Sequence, residues 1–376
     1  MARDRIPGLA AFALSRAVVV AAGFAALAVW GVDAHNEAAF NWGGVAEGAG
    51  PLARWDSVWF LEIAQAGYDD SRGAAEEAAF FPLYPLLLRL TGSTVAGGVI
   101  VSVGCFAGAL WLLHRLVARD FGEDVARLSV LLLALFPGAL FFSAVYSESL
   151  FLLLSVGAVY AARTGRWEVA AGAGALAAAT RSAGLLLLVP LAVLWWQAGR
   201  PRRGLWVAAV PLGLVAYCAW LEGAAGDWSL VFDAQAAWHR SLAVPLVDPV
   251  RDAWEGASQI ARGEERTWPV FDTAWFDVGL FALLLLALAA LAGAARRLPP
   301  AYSAYAACAL ALPLLFPADG QALMSLPRFL AVVWPLHLWL AVVLVRRRGP
   351  RMLVLGAFAV GLAAASAEFA TWGWVA

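Results

Sequence analysis

The sequence has few charged residues and no lysine. Charged residues make up 14% of the 376 residues, and hydrophobic residues make up 62%. A water-soluble globular protein carries about 25% charged residues, so this composition argues against one and indicates a protein of the lipid bilayer. The formal net charge of -1 gives no overall electrostatic reason to expect a nucleic acid as a partner.

Cysteine is also scarce, and its spacing argues against two common kinds of site. The three cysteines, Cys105, Cys218 and Cys308, lie in apolar stretches, are odd in number and form no CxxC pair. Neither a disulfide framework nor a zinc site follows, and buried structural thiols are expected. The sequence also has no nucleotide-binding loop, and we expect no metal and no cofactor.

Long apolar runs, by contrast, fill most of the chain. A transmembrane helix needs about 20 apolar residues, and eleven candidate spans can be drawn. They lie near residues 12–31, 93–113, 126–145, 148–162, 167–180, 183–197, 203–222, 274–295, 299–316, 328–345 and 351–372. The alternative to two spans around Arg181 is one long tilted helix over about residues 167–197. We therefore predict an all-α polytopic membrane protein, in which residues 1–376 form a single domain of about eleven transmembrane helices.

Arginine clusters between the predicted spans set the orientation of the chain. If the N-terminus lies in the cytoplasm, every cluster falls on the cytoplasmic side, as the positive-inside rule requires for short loops. The clustered residues are Arg115, Arg119, Arg127, Arg163, Arg166, Arg200, Arg202, Arg203, Arg296, Arg297, Arg346, Arg347, Arg348 and Arg351. Merging the two spans at Arg181 would break this pattern. Two long segments, about residues 33–92 and 223–273, then lie outside, and we expect them to form the active-site face.

Tryptophan is concentrated in and beside these two outer segments. The residues concerned are Trp55, Trp59, Trp228, Trp238, Trp254, Trp268 and Trp275. An aromatic belt at the membrane interface accounts for them, and stacking on a sugar is the alternative.

A carboxylate stands between two tryptophans in the first outer segment, RWDSVWFLEIAQAGYDD. Trp55, Trp59 and Ile63 recur every four residues, which predicts a short amphipathic helix lying in the membrane interface. Asp56 would begin this helix, where the helix dipole favours a carboxylate. The alternative role is catalysis, because a partly desolvated carboxylate suits general-base chemistry.

Prolines interrupt the apolar run FFPLYPLLLRL that follows. Proline costs about 3 kcal/mol inside a helix, so Pro82 and Pro85 predict a bent or interfacial segment around Tyr84. The bend could form one wall of a groove for a lipid tail, although a plain turn would account for it equally well.

Three charged residues are expected at the outer ends of spans. Glu148 lies in FFSAVYSESLF, Arg181 in ATRSAGLL and Arg328 in LMSLPRFL. A charged group at membrane depth is costly and usually paired or functional, whereas helix capping is the alternative for Glu148. An arginine fork suits a phosphate or a carboxylate, whereas anchoring of a helix end is the alternative for both arginines.

The second outer segment contains GDWSLVFDAQAAWHRSLAVP. Its polar candidates are Asp227, Asp233, His239 and Arg240. Two separated aspartates do not define a cation site, and a lone histidine is more often a satisfied surface residue than a ligand. We therefore expect no metal here, while His239 and Arg240 are candidates for substrate binding.

Several of these stretches resemble the PIG-V-type mannosyltransferases, which belong to the C-type membrane glycosyltransferase superfamily. The resemblance rests on WDSVWFLEIAQAGY, FFPLYP, FFSAVYSESLF, ATRSAGLLLLVPL, GDWSLVFDAQAAWHR and LPRFLAVVWPL, and it spans most of the chain. The WD pair and FFPLYP are its most specific parts. In that superfamily an acidic residue of the first outer loop is the expected catalytic group, and the matching position is Asp56.

The resemblance implies a membrane glycosyltransferase with interfacial helices in its first outer loop. It would transfer a sugar, expected from the family name to be mannose, from a polyprenyl phosphate donor with inversion at the anomeric carbon. Asp56 would accept the proton of the acceptor hydroxyl. The expected substrate-binding residues are Trp55, Tyr84, Glu148, Arg181, His239, Arg240 and Arg328. Arg181 or Arg328 would stabilise the phosphate of the donor.

The acceptor is expected to differ from that of the animal members, which carry a histidine where this chain has Trp59. Eukaryotic relatives modify glycosylphosphatidylinositol precursors, whereas the composition here is typical of a GC-rich bacterial gene. We therefore expect an enzyme of the bacterial plasma membrane that acts on an extracytoplasmic glycan, glycolipid or protein.

Two other functions fit a nearly neutral polytopic protein. A transporter or a lipid-linked sugar flippase would carry ionisable residues at the bilayer midplane, whereas Arg16, Glu148, Arg181 and Glu222 are predicted near the ends of spans. A non-catalytic membrane scaffold would have no need of Asp56.

Overall fold

The computed structural model describes residues 8–41, 50–68, 73–263 and 274–375. Within these ranges the secondary structure is helical, and the β-type pairs are the isolated bridges Arg240–Ala318 and Ala318–Gln321. Several of the helices are long and apolar. The prediction of an all-α membrane protein is therefore confirmed.

The α-helices of the described residues are numbered along the chain. The first six are α1 (Leu9–Trp30), α2 (Ala34–Phe40), α3 (Asp56–Ala66), α4 (Ala74–Ala78), α5 (Leu83–Leu90) and α6 (Val95–Phe121). The next six are α7 (Glu123–Leu135), α8 (Glu148–Arg163), α9 (Trp167–Ala178), α10 (Leu188–Gln197), α11 (Leu212–Ala225) and α12 (Leu230–Ala237). The last six are α13 (Val247–Arg262), α14 (Ala274–Arg297), α15 (Pro300–Leu315), α16 (Leu326–Val332), α17 (Trp334–Leu344) and α18 (Arg348–Ala370). Short 3-10 helices cover Gly50–Leu52, Pro137–Phe142, Ser182–Leu187 and Arg202–Ala209.

Among the described residues, five helical segments are long and apolar enough to cross a bilayer. They are α1, α6, α14, α18 and Arg202–Ala225, which joins a 3-10 helix to α11. The pair α16 and α17 would make a sixth span, although it is bent by 73°. The predicted count of about eleven transmembrane helices is not confirmed.

The other predicted spans coincide with helices that are short or interrupted. α8 has 16 residues and α9 has 12, so at about 1.5 Å per residue each is shorter than a hydrocarbon core of about 30 Å. The predicted span 126–145 breaks where α7 ends at Leu135 and Pro137 begins a 3-10 helix. The residue before a proline avoids the helical conformation, which explains this break.

The chain divides at Arg181 and does not continue as one tilted helix. α9 ends at Ala178, and Arg181 has an extended backbone (φ -159°, ψ 149°) before Ser182–Leu187. A Cβ on Gly184 would lie 2.2 Å from the backbone carbon of Ala177. Glycine therefore allows this segment to fold back onto the end of α9.

The helix α3 of the first outer segment packs inside the protein. The residues that α3 buries are Ser57, Val58, Phe60, Leu61, Ile63 and Ala64. The short helix that the tryptophan spacing predicts is present as α3, and most of its faces are covered by protein. The bend predicted from the two prolines is present, since α5 begins after Pro82 and has Pro85 in its first turn, where proline is tolerated.

The segments that carry the candidate site meet around the start of α8. α8 packs between α6 and α9, and α16 contacts both α8 and the 3-10 helix Pro137–Phe142. The backbone N–H of Val145 donates to the carbonyl of Leu52 over 3.0 Å. This bond ties the segment that precedes α3 to the turn that precedes α8.

Candidate active site

Four charged side chains from distant parts of the chain form one connected cluster. Arg328 donates from Nη1 to the Oδ2 of Asp56, and its Nε lies 3.6 Å from the Oε1 of Glu148. Arg181 donates from Nη1 to the same Oε1 of Glu148. The structure therefore brings together four of the residues predicted from the sequence.

A strained turn and a buried tyrosine position Asp56. Trp55, the residue before α3, has a positive φ of 54°, which is uncommon for a residue with a side chain. The N–H of Asp56 donates to the hydroxyl of Tyr146 over 3.2 Å, and that hydroxyl donates to the carbonyl of Arg54 over 3.3 Å. Burial, followed by the nearby charge of Asp56, raises the pKa of Tyr146 well above its usual range, so the hydroxyl stays protonated.

Glu148 is the most buried carboxylate of the cluster, with an exposed fraction of 1%. It is the first residue of α8, where the helix dipole stabilises negative charge. Within the described residues, its Oε2 and the Nε of Arg328 have no hydrogen-bond partner. Buried polar atoms of this kind are costly and usually paired, so a polar ligand entering the cluster would gain these two partners.

The ring of Phe329 brings a third arginine to the cluster. The guanidinium carbons of Arg328, Arg240 and Arg181 lie 5.5, 5.8 and 5.9 Å from the centre of that ring. These distances fit cation–π contacts. The five charged groups of the site, three guanidiniums and two carboxylates, carry a net charge of +1, which favours an anion.

Arg240 lies in the second outer segment and differs from the other two arginines. Its Nη1 donates to the carbonyl of Phe316 over 3.1 Å, and no carboxylate of the described residues forms an ion pair with it. Burial and the neighbouring charges of Arg328 and Arg181, opposed by the charge of Asp56, lower the pKa of Arg240 to about 10. The group therefore keeps its positive charge at neutral pH.

Three other predicted residues do not present their side chains to this cluster. The indole of Trp55 packs on Trp374, with ring centres 4.9 Å apart, and donates from Nε1 to the carbonyl of Gly373 over 3.1 Å. Tyr84 has an exposed fraction of 0%, and its hydroxyl is hydrogen-bonded to Ser102 over 2.7 Å. This hydrogen bond joins α5 to α6. The side chain of His239 is exposed. The charge that acts on the cluster is that of its neighbour, Arg240.

Three residues of the site, Tyr146, Phe329 and Ser325, do not stand out as site residues in the sequence. Tyr146 holds the turn before α3, Phe329 lies among the three guanidiniums, and Ser325 accepts a hydrogen bond from Arg328 over 3.0 Å. Each is within three residues of a predicted charge. Closeness in sequence to a predicted charged residue could have identified them as site residues, although it does not reveal the direction in which a side chain points.

Tryptophans link the two outer segments to each other. Trp59 stacks on Phe80 with ring centres 5.3 Å apart and meets Trp238 edge-on at 5.6 Å. By contrast, Trp228, Trp254 and Trp275 are exposed, as residues of an interfacial belt would be. Trp268 lies outside the described residues.

Known proteins match the part of the chain that carries Asp56, Glu148 and Arg181. Residues 42–194 match the family described as mannosyltransferase (PIG-V). The chain is 30% identical over 157 residues to GPI mannosyltransferase 2 of Cryptococcus neoformans, a match that covers 38% of this chain and 36% of that protein. It is 34% identical over 152 residues to GPI alpha-1,6-mannosyltransferase 2 of Rattus norvegicus, with coverage of 36% and 30%.

The matched segment thus spans about a third of the length of these relatives, with coverage of 36% and 30%. A further relative, GPI mannosyltransferase 2 of Aspergillus fumigatus, is 32% identical over 115 residues, with coverage of 29% of this chain and 22% of that protein. Arg240 and Arg328 lie beyond the residues that match the family. Residues 42–194 of the chain are therefore similar to the family described as mannosyltransferase (PIG-V).

Proposed function

We propose that this protein transfers mannose from a polyprenyl phosphate donor to an extracytoplasmic glycan, glycolipid or protein, with inversion at the anomeric carbon. The observation that carries the proposal is the chain of ion pairs from Asp56 through Arg328 and Glu148 to Arg181. It connects a candidate base to cations that suit a phosphate leaving group. The relatives are named as mannosyltransferases, which supports the choice of mannose.

The proposed reaction needs a base for the acceptor and cations for the donor. Asp56 accepts the proton of the acceptor hydroxyl while the hydroxyl oxygen attacks the anomeric carbon. The bond between that carbon and the phosphate oxygen breaks, and its electron pair leaves with the lipid phosphate. Guanidinium groups in a site with little water stabilise the charge that develops on this phosphate.

Arg328 has a second part in the proposal, because its guanidinium forms a hydrogen bond to the proposed base, Asp56. A phosphate that enters beside Phe329 would compete with Asp56 for the guanidinium of Arg328. The carboxylate would then be released to take the proton of the acceptor. Arg240, whose charge is not balanced by a carboxylate of the described residues, would supply the first attraction for the phosphate.

The proposed orientation follows from the ends of the helices. The charged cluster lies at the first residue of α8, and a basic group, Arg163, lies at its last residue. We infer eleven crossings of the plasma membrane, with the N-terminus in the cytoplasm and the C-terminus outside. The two outer segments, about residues 33–92 and 223–273, would then form the extracytoplasmic active-site face of one domain.

Transfer of label from radioactive polyprenyl phosphate mannose tests the proposal in membranes that contain matched amounts of protein. Asp56→Asn should lower the rate of transfer by about 100-fold or more, because loss of a general base removes a factor of roughly 10² to 10⁴. The change keeps the size of the side chain, so the folded protein should remain.

Asp233→Asn is the matched control, since Asp233 is an exposed carboxylate of the second outer segment. It should transfer label at the wild-type rate. An active Asp56→Asn variant would remove Asp56 from the mechanism. Movement of the labelled lipid across the membrane, without transfer to any acceptor, would favour a flippase.

A further inference from the structure

A second polar site lies at the opposite end of α8 from Glu148. It is a pocket of about 650 Å³ lined by Arg119, Asp120, Arg163, Arg296 and Arg297, together with apolar residues. α8 has 16 residues from Glu148 to Arg163, so at about 1.5 Å per residue the two sites are roughly 23 Å apart. α6 and α14 are candidate membrane spans that end at this pocket. The pocket therefore lies at one surface of the membrane, and the charged cluster of Asp56 lies toward the other.

The carboxylate in this pocket is already satisfied. Arg163 donates from Nη2 to the Oδ1 of Asp120 over 2.7 Å, and the hydroxyl of Tyr302 donates to the Oδ2 of the same residue. The side chain of Asp120 has an exposed fraction of 6%. Asp120 therefore neutralises one arginine, and both of its carboxylate oxygens already accept a hydrogen bond.

The remaining charges are positive. Arg119, Arg296 and Arg297 are exposed, and none of them forms an ion pair within the described residues. With one carboxylate against four guanidiniums, the pocket carries a net charge of +3. The Nε of Arg163 is buried and has no hydrogen-bond partner in the described part of the chain. It is a donor that an acceptor in the pocket could satisfy.

Helix dipoles explain only part of this arrangement. Arginines in the last turn complement the carbonyl ends of α6, α8 and α14. That role does not require them to gather around a concave surface. In addition, α15 begins beside the pocket with no acidic residue in its first turn, and helix N-termini favour anions.

We propose that this pocket binds the phosphate group of an anionic ligand, supplied either by the headgroup of an acidic membrane lipid or by a soluble phosphate. Guanidinium forks bind phosphate oxygens in pairs, and basic pockets between membrane helices bind acidic headgroups. This inference does not depend on the proposed transferase activity, because it concerns the other end of the helices.

Native mass spectrometry of the full-length protein tests the proposal. Protein is released from nanodiscs of phosphatidylcholine that contain increasing amounts of phosphatidylglycerol, and inorganic phosphate is titrated in a separate series. We expect the wild type to retain phosphatidylglycerol or phosphate, and Arg296→Gln with Arg297→Gln to weaken this binding about tenfold. Retention of the lipid alone identifies a headgroup as the source, and binding of inorganic phosphate identifies a soluble source.

Arg346→Gln with Arg347→Gln is the matched control, because it removes two equally exposed charges that do not line the pocket. Its binding should equal that of the wild type. Equal weakening by both pairs would mean a diffuse attraction to the basic surface and would overturn the proposal. Failure of the wild type to bind either probe would overturn it as well.

Asp120→Asn provides a test of opposite sign. The change removes the carboxylate charge that competes with an anionic ligand for Arg163. The amide oxygen that remains can accept a hydrogen bond from either Arg163 or the hydroxyl of Tyr302. Binding of the anion should become tighter by several-fold. A merely structural role for these arginines predicts no gain, so unchanged or weaker binding in a folded variant would contradict a phosphate site.

Discussion

The three arginines around Phe329 differ in how their charges are used. Arg328 forms ion pairs with Asp56 and Glu148, and Arg181 forms an ion pair with Glu148. Arg240 is bonded to a backbone carbonyl instead. The charge that remains available to the proposed donor phosphate is therefore that of Arg240, although the sequence predicted Arg181 or Arg328 for this role.

Replacement of Arg240 should mainly affect the donor. A hydrogen bond to a charged group contributes about 1.5–3 kcal/mol, so Arg240→Gln should raise the KM for polyprenyl phosphate mannose at least about tenfold. Although burial lowers the pKa of Arg240 to about 10, the guanidinium stays charged at neutral pH, so the difference between the variant and the wild type should be the same at pH 7 and pH 8. Steady-state kinetics at these pH values would measure it.

Arg251→Gln is a suitable comparison, because Arg251 is an exposed arginine of α13 whose ion pairs are with Asp248 and Asp252. The KM for the donor should not change in this variant. Equal KM values for Arg240→Gln and the wild type at neutral pH would show that Arg240 does not contact the phosphate.

Side-chain direction limited what the sequence could reveal about single residues. Asp56, Glu148, Arg181 and Arg328 were predictable, because charges are rare in this chain and each stands beside an apolar run. Tyr84 was not, since its position beside two prolines gives no information on whether its hydroxyl meets a ligand or Ser102. For Trp55, two of the aromatic residues that contact it, Trp372 and Trp374, lie more than 300 positions further along the chain.

The fold-back after α9 depends on one close contact of the backbone. A Cβ on Gly184 would meet the backbone of Ala177 at 2.2 Å, and backbone atoms cannot move aside as a flexible side chain can. Gly184→Ala should therefore destabilise the protein by about 1–3 kcal/mol and shift Arg181 away from Glu148. A thermal melt in detergent and the KM for the donor would measure the two effects.

Gly172→Ala makes the same chemical change in α9 at a position where nothing lies within 4 Å of the added carbon. It should be neutral or raise the melting temperature, because alanine favours a helix by about 1 kcal/mol over glycine. Equal melting temperatures for the two variants would contradict the close contact at Gly184.

The amphipathic helix that suits the membrane interface is α13 of the second outer segment. Its exposed apolar residues Val247, Val250 and Trp254 share one face, while Glu255 lies on a polar face. We expect the apolar face to enter the outer interface of the bilayer. In a variant without native cysteines, a spin label at position 250 should collide with oxygen more than with a water-soluble nickel complex.

A label at position 255 serves as the control and should show the reverse preference. If both labels preferred the nickel complex, α13 would lie in water. The sequence already held the signal for this helix in the apolar spacing of residues 247, 250, 254, 257 and 261. In the first outer segment a similar spacing belongs to α3, whose apolar faces are covered by protein. Periodicity alone does not distinguish these two cases.

At the scale of the molecule, the composition of the sequence predicts the membrane environment more reliably than the apolar runs predict the number of transmembrane crossings. The predicted spans coincide with helical segments, but several are too short for a bilayer of ordinary thickness. The reason is that the sequence does not state where a helix is replaced by a 3-10 turn or a bend, as it is near Pro137 and between α16 and α17. The positions of charges were more informative than the lengths of apolar runs.

The orientation of the whole molecule can be tested without knowledge of the acceptor. The Asp56 cluster and the arginine pocket lie at opposite ends of α8, so a single orientation decides which of the two faces the cytoplasm. The positive-inside rule predicts that the arginine pocket does. In a variant without native cysteines, a cysteine at the exposed position Leu242 should react with a membrane-impermeant maleimide in intact cells.

A cysteine at the exposed position Arg202 should react only after the membrane is made permeable. The reverse pattern would turn Asp56 toward the cytoplasm, where an extracytoplasmic acceptor could not reach it. Labelling of both positions in intact cells would require an extra or a missing crossing between 202 and 242. Since Arg202–Ala225 is long and apolar enough to span the bilayer once, that outcome would mean that α11 does not cross it.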